Sequence, residues 1–314
     1  MNRSFKIGVI GTINRDIIGR ADGTTHHGWG GILYNLVALS NLAGGRAEII
    51  PAGLVGRDCS GPILNILGRL GGVRTDRINV VAQKNNHCFL AYDRQGNKSE
   101  ILRGGVRPLR FDDVVGLLEC DIVLVNFISG RDIDIRSLLK FRFEYAGPIY
   151  IDVHSSTLGK RADGRRYLRR PKSWKKIIAA ADYVQLNRLE LSVLAGGRRD
   201  RPVPEMWADM TARSELAPEA IADKIFIVTD GASGGQILLA ESGYLQRERI
   251  FPGEVIRGGD TTGCGDCFSA GFLWGLLCGR NLVDCCRLGN RAAGERIIDK
   301  RGHYSHFLSG RHSY

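Results

Sequence analysis

The sequence predicts an α/β fold in which helices cover both faces of a central, mostly parallel sheet. Strand-like and helix-like segments alternate along most of the chain, as they do when helical crossovers join parallel strands. The chain has 314 residues, of which 43% are hydrophobic and 25% charged, so it can bury a large core. Its apolar runs all fall short of the roughly 20 residues that cross a bilayer. We therefore expect a single cytoplasmic domain, residues 1–314, that does not contact a membrane.

Short runs rich in β-branched and large apolar residues predict the strands of this sheet. They are residues 5–11, 47–52, 122–125, 149–153, 183–186 and 225–229. Apolar residues at helical spacing predict the helices, and the first ends at Gly44-Gly45, which is a plausible C-cap. The predicted helices are residues 33–43, 61–70, 264–278 and 282–298.

Two segments break the alternation of strands and helices. Residues 87–93 and 98–102 flank Arg94-Gln95-Gly96-Asn97, which predicts a β-hairpin. We expect a small β lid built from about residues 12–29 and 84–105. Residues 196–218 contain three prolines, which predicts a surface insertion around one short helix.

Charge and cysteine content exclude several classes of protein. The net charge is +11, and residues 160–176 carry much of the excess, which predicts a solvated loop and helix face. RNA or phosphate binding is the alternative, but no aromatic-rich recognition motif accompanies this basic stretch, so a nucleic-acid partner is not expected. The eight cysteines are scattered and are expected to be free thiols. Cys264 and Cys267 form a C-x-x-C pair with no second pair at zinc-site spacing, which argues against a metal or redox role.

Residues 258–268 are the segment richest in chemistry. Glycines that precede a helix allow backbone amides to converge, and the helix N-terminus carries about half a positive charge. Such a turn suits a phosphoryl group in transfer, and Asp266 in the first turn could face the reacting hydroxyl. A glycine turn with an acidic capping residue is the structural alternative.

Residues 260–266 read Asp-Thr-Thr-Gly-Cys-Gly-Asp and resemble D-T-x-G-A-G-D, the C-terminal signature of ribokinase-like (PfkB) carbohydrate kinases. Cys264 replaces the usual alanine, and this exchange of one small residue for another should keep the turn. The resemblance implies a ribokinase-like fold and transfer of the γ-phosphoryl group of ATP to a hydroxyl. It also implies that Asp266 is the catalytic base and that the amides of Gly263, Cys264 and Gly265 hold the phosphate.

Further motifs resemble the family's substrate side in the same order along the chain. Residues 11–16 look like its first strand and turn, 30–35 like its G-G-x-x-x-N motif, and 53–58 like the G-x-V-G-x-D that follows. In the region where ribokinase places a glutamate on the sugar, this chain reads Asn126-Phe127-Ile128-Ser129, with no acid, which argues against plain ribose. The expected acceptor is a sugar or sugar-containing molecule, with a nucleoside as an alternative. The implied substrate contacts are Asp16, Gly30, Gly31, Asn35 and Asn126.

The nucleotide side of the resemblance lies in the second half of the chain. Residues 187–190 match N-x-x-E, and residues 229–234 are similar to T-x-G-x-x-G. The implied nucleotide contacts are Asn187, Thr229, Gly231, Gly234, Asn290 and Arg291. Glu190 would hold Mg²⁺ through water, and Asp260 resembles a residue that binds a monovalent cation such as K⁺ in some members. Homodimers that form through the lid are also common in the family.

Two rival readings come from the same residues. Ser233 lies in a G-x-S-x-G pattern, but a serine-hydrolase elbow needs a helix after the serine, and a strand-like run follows here. The chain has no G-x-x-x-x-G-K-[ST] motif, so it is not a P-loop enzyme. A catalytically inactive homologue that binds sugars or nucleosides is the second alternative, which the intact Asp266 disfavours.

Overall fold

The structure, a computed structural model, describes residues 4–19, 23–92, 98–197, 200–214, 221, 223–241, 244–250, 255–256 and 260–299. Its strands form a nine-stranded central sheet, a separate four-stranded sheet and a two-stranded ribbon. The strands are β1 Phe5–Ile10, β2 Ile13–Gly19, β3 Thr25–Gly31, β4 Ala47–Gly56, β5 Ile78–Val81, β6 Asn86–Tyr92, β7 Lys98–Gly104, β8 Ile122–Asn126, β9 Ile149–Asp152, β10 Leu158–Lys160, β11 Arg166–Leu168, β12 Tyr183–Asn187, β13 Ile225–Thr229, β14 Gly235–Glu241 and β15 Tyr244–Ile250.

The α-helices connect these strands in the way that parallel pairing requires. They are α1 Leu33–Ala43, α2 Ser60–Leu67, α3 Phe111–Val114, α4 Ile135–Glu144, α5 Trp174–Ala180, α6 Arg188–Ala195, α7 Val203–Ser214, α8 Cys264–Leu277 and α9 Leu282–Ile298. The predicted helix over residues 33–43 matches α1 at both ends. Gly44 ends it in the left-handed region at φ 52°, where glycine carries no Cβ penalty.

The central sheet has the order β15-β14-β13-β12-β9-β8-β1-β4-β5. Every pair from β13 to β5 is parallel, and only β14 and β15 are added antiparallel at one edge. The predicted α/β class with a mostly parallel sheet is therefore confirmed.

Alternate residues of the sheet face two separate hydrophobic cores. On β8, Ile122 and Leu124 join the core that contains α1, α2, α8 and α9, whereas Val123 and Val125 join the core that contains α3 to α7. A strand buried on both faces needs apolar residues at every position, which explains the unbroken run Ile-Val-Leu-Val.

The four-stranded sheet, called the small sheet below, consists of β3, β2, β6 and β7 in that order. Its strands fall in the ranges where the sequence predicts a lid, and the turn at 93–97 lies outside the described residues. Ile18, Cys88, Leu90 and Leu102 form a small cluster on one face. On β6, Phe89 is half-buried beside the guanidinium of Arg103. Closure over a substrate and pairing of two copies through this sheet stay predictions.

The interpretation of residues 196–218 as a surface insertion is wrong for α7. Met206 and Met210 are fully buried, and the ring of Trp207 packs edge-on against Phe226 of β13. Residues 215–220 lie outside the described part of the chain. The apolar residues of α7 recur at helical spacing, so their periodicity was a better guide than the prolines around them.

The basic stretch 160–176 is mostly solvated, as expected, with one exception. The Arg166 side chain is only 4% exposed and lies 3.7 Å from the carboxylate of Glu100 on β7. Its guanidinium also donates to the carbonyls of Ser129 and Ser155, at 2.9 and 3.2 Å. Arg166 thus links the β10–β11 ribbon to the small sheet and to the loops that follow β8 and β9.

Candidate active site

Polar residues stand at the carboxyl ends of neighbouring parallel strands. Asn126 ends β8 opposite Asp152 of β9, and Asn187 ends β12 opposite Thr229 of β13. Ligands of open α/β sheets bind at this edge, because the strands end there and loops with polar side chains begin. The N-terminus of α8 lies at the same edge, since Asn126 contacts Asp266 in its first turn.

Two asparagines hold Asp266 from different elements. The Asn126 Nδ2 group donates to Asp266 Oδ1 at 2.7 Å, and Asn35 Nδ2 of α1 donates to the Asp266 backbone oxygen at 2.8 Å. The asparagines also contact one another, with 3.1 Å between Asn126 Nδ2 and Asn35 Oδ1. Asp266 is 5% exposed, so its carboxylate is fixed inside the protein rather than left to rotate in solvent.

Asn35 and Asn126 are both fully buried. The Asn35 amide donates its second hydrogen bond to Ser269 Oγ at 2.9 Å. Asn35 therefore positions α8 through two of its residues. Asn126 Oδ1 has no hydrogen-bond partner within the described part of the chain. Direct contact of either side chain with a substrate stays a prediction, and Asn126 has the spare acceptor for it.

The glycine turn before α8 packs against an aromatic ring. Gly263 has φ +84°, and a Cβ at this position would lie 2.4 Å from the Tyr34 ring. The first-turn amides of α8 have no acceptor within the helix, which leaves Gly265 N–H to bind an anion. The Cys264 amide already donates to the Thr261 carbonyl at 3.1 Å, so it would have to share its hydrogen with a phosphate. Burial raises the pKa of the Cys264 thiol to about 11, so it stays protonated near neutral pH.

A buried network supports this turn from below. Gln185 Nε2 donates to the Gly265 carbonyl at 3.1 Å and to Asp152 Oδ2 at 2.9 Å. The Tyr150 hydroxyl donates to Gln185 Oε1 at 2.7 Å, which fixes the orientation of the amide. Sequence reasoning did not single out these three residues, because only the fold brings them beneath the turn.

Three carboxylates repel one another at this edge of the sheet. Burial raises the pKa of Asp152 well above its usual range, and the negative charges of Glu190 and Asp266 raise it further. Glu190 forms a capping box at the start of α6, where its oxygens accept from Asn187 N at 2.8 Å and Asn187 Nδ2 at 2.7 Å. Such a set of oxygen donors fits a hard divalent cation, whose charge would relieve the repulsion.

Asp260 has partners within the chain for both carboxylate oxygens. Thr262 N–H donates to Oδ1 at 2.9 Å, and the Arg296 guanidinium donates to Oδ2 at 3.3 Å. Arg296 also lies over the Tyr34 ring, 5.1 Å from its centroid. A monovalent cation would have to compete with this guanidinium for Asp260, so the pair argues against the cation site that the family resemblance implies, and that site stays a prediction.

Asp16, Gly30 and Gly31 meet at the junction between the small sheet and α1. Asp16 is 5% exposed, and a Cβ on Gly30 would lie 1.9 Å from Asp16 Oδ2, so a side chain there would displace the Asp16 carboxylate. Gly31 has φ +68°, and a Cβ on it would lie 2.2 Å from the Thr12 carbonyl oxygen. Burial of the Tyr34 side chain raises the pKa of its hydroxyl, and the negative charge of Asp16 raises this pKa further.

Asp132 fixes the turn between β1 and β2, and sequence reasoning missed it. Its Oδ1 accepts from Thr12 N at 3.0 Å and from Thr12 Oγ1 at 2.8 Å, while Oδ2 accepts from Ser129 N at 2.9 Å. Burial raises the pKa of Asp132, and the hydrogen bonds oppose this rise. The residue stabilises the point where the chain leaves the central sheet for the small sheet.

The predicted nucleotide contacts lie in the turn between β13 and β14 and on helix α9. Gly231 and Gly234, with φ values of 53° and 84°, flank the tight turn between β13 and β14. Ser233 therefore lies in a hairpin turn, as expected, and not before a helix. On α9, the Arg291 side chain is 74% exposed and pairs with Glu295, whereas Asn290 Nδ2 is buried without a partner among the described residues. A base contact fits Asn290 better than Arg291, and both stay predictions.

Comparisons of sequence point to carbohydrate kinases. Residues 164–304 match the model of the pfkB family carbohydrate kinases. The chain is 33% identical to the 2-dehydro-3-deoxygluconokinase of Haemophilus influenzae over 133 residues, which is 42% of this chain and 41% of that protein. It is 27% identical to an uncharacterized sugar kinase of Archaeoglobus fulgidus over 256 residues, 80% of this chain and 91% of that one.

Solved structures agree on the architecture. The ribokinase of Cryptococcus neoformans var. grubii in complex with ADP superposes with a TM-score of 0.72 at 20% identity, covering 94% of each chain. No helix among the described residues is long and apolar enough to span a membrane. The chain therefore has a ribokinase-like fold, and its residues 164–304 are similar to the pfkB family of carbohydrate kinases.

Proposed function

We propose that this protein transfers the γ-phosphoryl group of ATP to a hydroxyl of a sugar or sugar-containing small molecule. One observation carries the proposal: the Asp266 carboxylate is buried and held by Asn126 in the first turn of α8, next to the Gly263–Gly265 turn. A general base and an anion-binding turn are the two parts that such a transfer requires in one place.

In the proposed reaction, Asp266 accepts the proton of the acceptor hydroxyl as its oxygen forms a bond to the γ-phosphorus. The bond from that phosphorus to the β,γ-bridging oxygen breaks, and ADP leaves with the electron pair. Amide groups at the start of α8, above all Gly265 N–H, would stabilise negative charge on the phosphoryl oxygens. Positioning and charge stabilisation supply most of the rate in this chemistry.

Magnesium would supply the positive charge that neutralises the phosphates of ATP. Asp152, Glu190 and Asp266 do not form a converged ligand set, so they would hold such an ion through water, and its charge would relieve their mutual repulsion. Glu190 is engaged by Asn187 through both oxygens, so we expect it to act through water. Asn187, Thr229, Gly231 and Gly234 would face the nucleotide.

We expect hydrogen bonds, rather than stacking on Trp29 or Phe127, to recognise the acceptor. Trp29 is buried with the Arg15 guanidinium 4.7 Å from its ring centroid, and Phe127 is 1% exposed within a core. Neither ring is available to stack on a nucleoside base. Asp16 and Asn126 provide polar groups for the hydroxyls of a sugar or of a nucleoside's ribose.

The test is ADP release in the presence of Mg²⁺-ATP with a panel of sugars, sugar acids and nucleosides, paired with calorimetry of Mg²⁺-ATP. The proposal expects acceptor-dependent ADP release from at least one sugar or sugar acid. Binding of a sugar without ADP release would support the inactive binding homologue instead. Absence of Mg²⁺-ATP binding with candidate acceptors present would contradict the proposal.

A further inference from the structure

A cluster of metal-ligating side chains lies outside the candidate active site. Asp58, Cys59 and His87 each present one donor atom, and these atoms all lie within 4.8 Å of one another. His87 Nε2 is 2.9 Å from Asp58 Oδ2 and 4.0 Å from Cys59 Sγ. No other group of three or more His, Cys, Asp or Glu donors converges in this way among the residues that the structure describes.

The donor set matches one class of ion. Thiolate, imidazole and carboxylate together suit Zn²⁺ and similar borderline-soft divalent cations, whereas Mg²⁺ prefers oxygen ligands alone. With the usual bond lengths, a tetrahedral zinc ion holds its nitrogen and oxygen ligands about 3.3 Å apart and its sulfur and nitrogen ligands about 3.6 Å apart. The two observed separations, 2.9 and 4.0 Å, each differ from these values by about 0.4 Å. Small side-chain rotations would be enough to bind the ion.

The cluster is closed on one side and open on the other. Cys59 is 4% exposed, whereas the side chains of Asp58 and His87 keep 33% and 30% of their surface exposed. An ion can therefore enter from solvent and keep a water as its fourth ligand. Asp58 Oδ1 accepts from Asn85 N at 2.8 Å, and this hydrogen bond fixes the orientation of the carboxylate so that Oδ2 faces the cluster.

The three ligands come from both sheets. Asp58 and Cys59 directly follow β4 of the central sheet, while His87 lies on β6 of the small sheet opposite Arg15. We propose that Asp58, Cys59 and His87 bind a zinc-class divalent cation that fastens the small sheet to the central domain. The next residue on β2 after Arg15 is Asp16, the proposed acceptor contact, so the ion would hold the strand that pairs with β2 beside that contact.

Binding replaces protons by the metal ion. Burial and the neighbouring Asp58 raise the pKa of the Cys59 thiol to about 11, so the thiol proton must leave to solvent when the Sγ–metal bond forms. The affinity for the ion should therefore increase with pH.

Co²⁺ titration of the metal-free full-length protein, followed by competition with Zn²⁺, tests the proposal. We expect one Co²⁺ per chain, a near-ultraviolet thiolate-to-cobalt absorption band, and loss of that band when Zn²⁺ is added. Without such a band at one equivalent of Co²⁺, the proposal fails.

Three variants assign the band to this cluster. Cys59→Ser should abolish it, and His87→Gln, at a partly exposed position, should weaken Co²⁺ affinity by more than about tenfold. Cys278→Ser removes an exposed thiol elsewhere and should leave the titration unchanged. If Cys59→Ser fails to fold, as judged by circular dichroism, His87→Gln alone decides. Full-strength binding in His87→Gln, or loss of binding in Cys278→Ser, would overturn the assignment.

Discussion

Removing the Asn126 side chain should uncouple the catalytic base from its support. In Asn126→Ala, Asp266 Oδ1 loses its 2.7 Å donor and Asn35 Oδ1 loses its 3.1 Å donor. A hydrogen bond to a charged group contributes about 1.5–3 kcal/mol and a neutral one about 0.5–1.5 kcal/mol. We therefore expect the free energy of unfolding to fall by about 2–4 kcal/mol. Misplacement of the carboxylate should lower kcat by about 10- to 100-fold.

Urea unfolding and steady-state ADP release measure the two effects separately. Asn281→Ala is the control, because Asn281 caps α9 through a 2.9 Å bond from Asp284 N and its loss should cost about 1 kcal/mol without lowering kcat. A positioning role for Asn126 predicts a loss in kcat, and a direct substrate contact predicts a rise in KM. If kcat of Asn126→Ala stays within about twofold of the Asn281→Ala value, the positioning argument is refuted.

Three further predictions concern the surroundings of the site. Gly263→Ala should lower the free energy of unfolding by about 1–3 kcal/mol more than Gly44→Ala, because both have positive φ but only Gly263 packs against a ring; equal losses in urea unfolding would contradict this. Burial raises the pKa of Asp152, so its contribution to stability is complete below the unfolded pKa of about 3.9 and is lost as pH rises through the folded pKa. Asp152→Asn should therefore gain stability relative to wild type as pH rises above the unfolded pKa, and a difference that stays constant with pH would refute the assignment. Since Asp260 pairs with a guanidinium, activity in choline chloride should equal that in potassium chloride of the same ionic strength; strict dependence on potassium would show that a cation displaces this pair.

Patterns among residues close in sequence were enough to predict several elements of the fold. The spacing of apolar residues and the Gly44-Gly45 end predicted α1 at both boundaries, because a helix depends on residues close in sequence. The glycine turn before α8 was predicted for the same reason. Strand β5 was missed, since its four residues include exposed positions and only pairing with β4 defines it.

The support of the candidate site could not be read from the sequence. Gln185 acts on Gly265, 80 residues away, and Asn35 acts on Asp266 and Ser269, more than 230 residues away. Such contacts exist only after the strands are ordered in the sheet. The motif resemblance implied that Asn35 contacts the substrate. In the structure its buried side chain instead donates hydrogen bonds to Asp266 and Ser269.

The Asp266→Asn variant separates a catalytic base from a helix cap. The substitution keeps the volume and the hydrogen-bonding shape, but an amide cannot accept the hydroxyl proton. We predict that the variant folds and binds Mg²⁺-ATP while kcat falls by about 10²- to 10⁴-fold. Asp134→Asn is the matched control, because Asp134 only caps α4 through Ser137 N at 3.0 Å, and asparagine caps equally well. If Asp266→Asn turns over its acceptor within about tenfold of wild type, Asp266 is only a cap and the proposed mechanism is wrong.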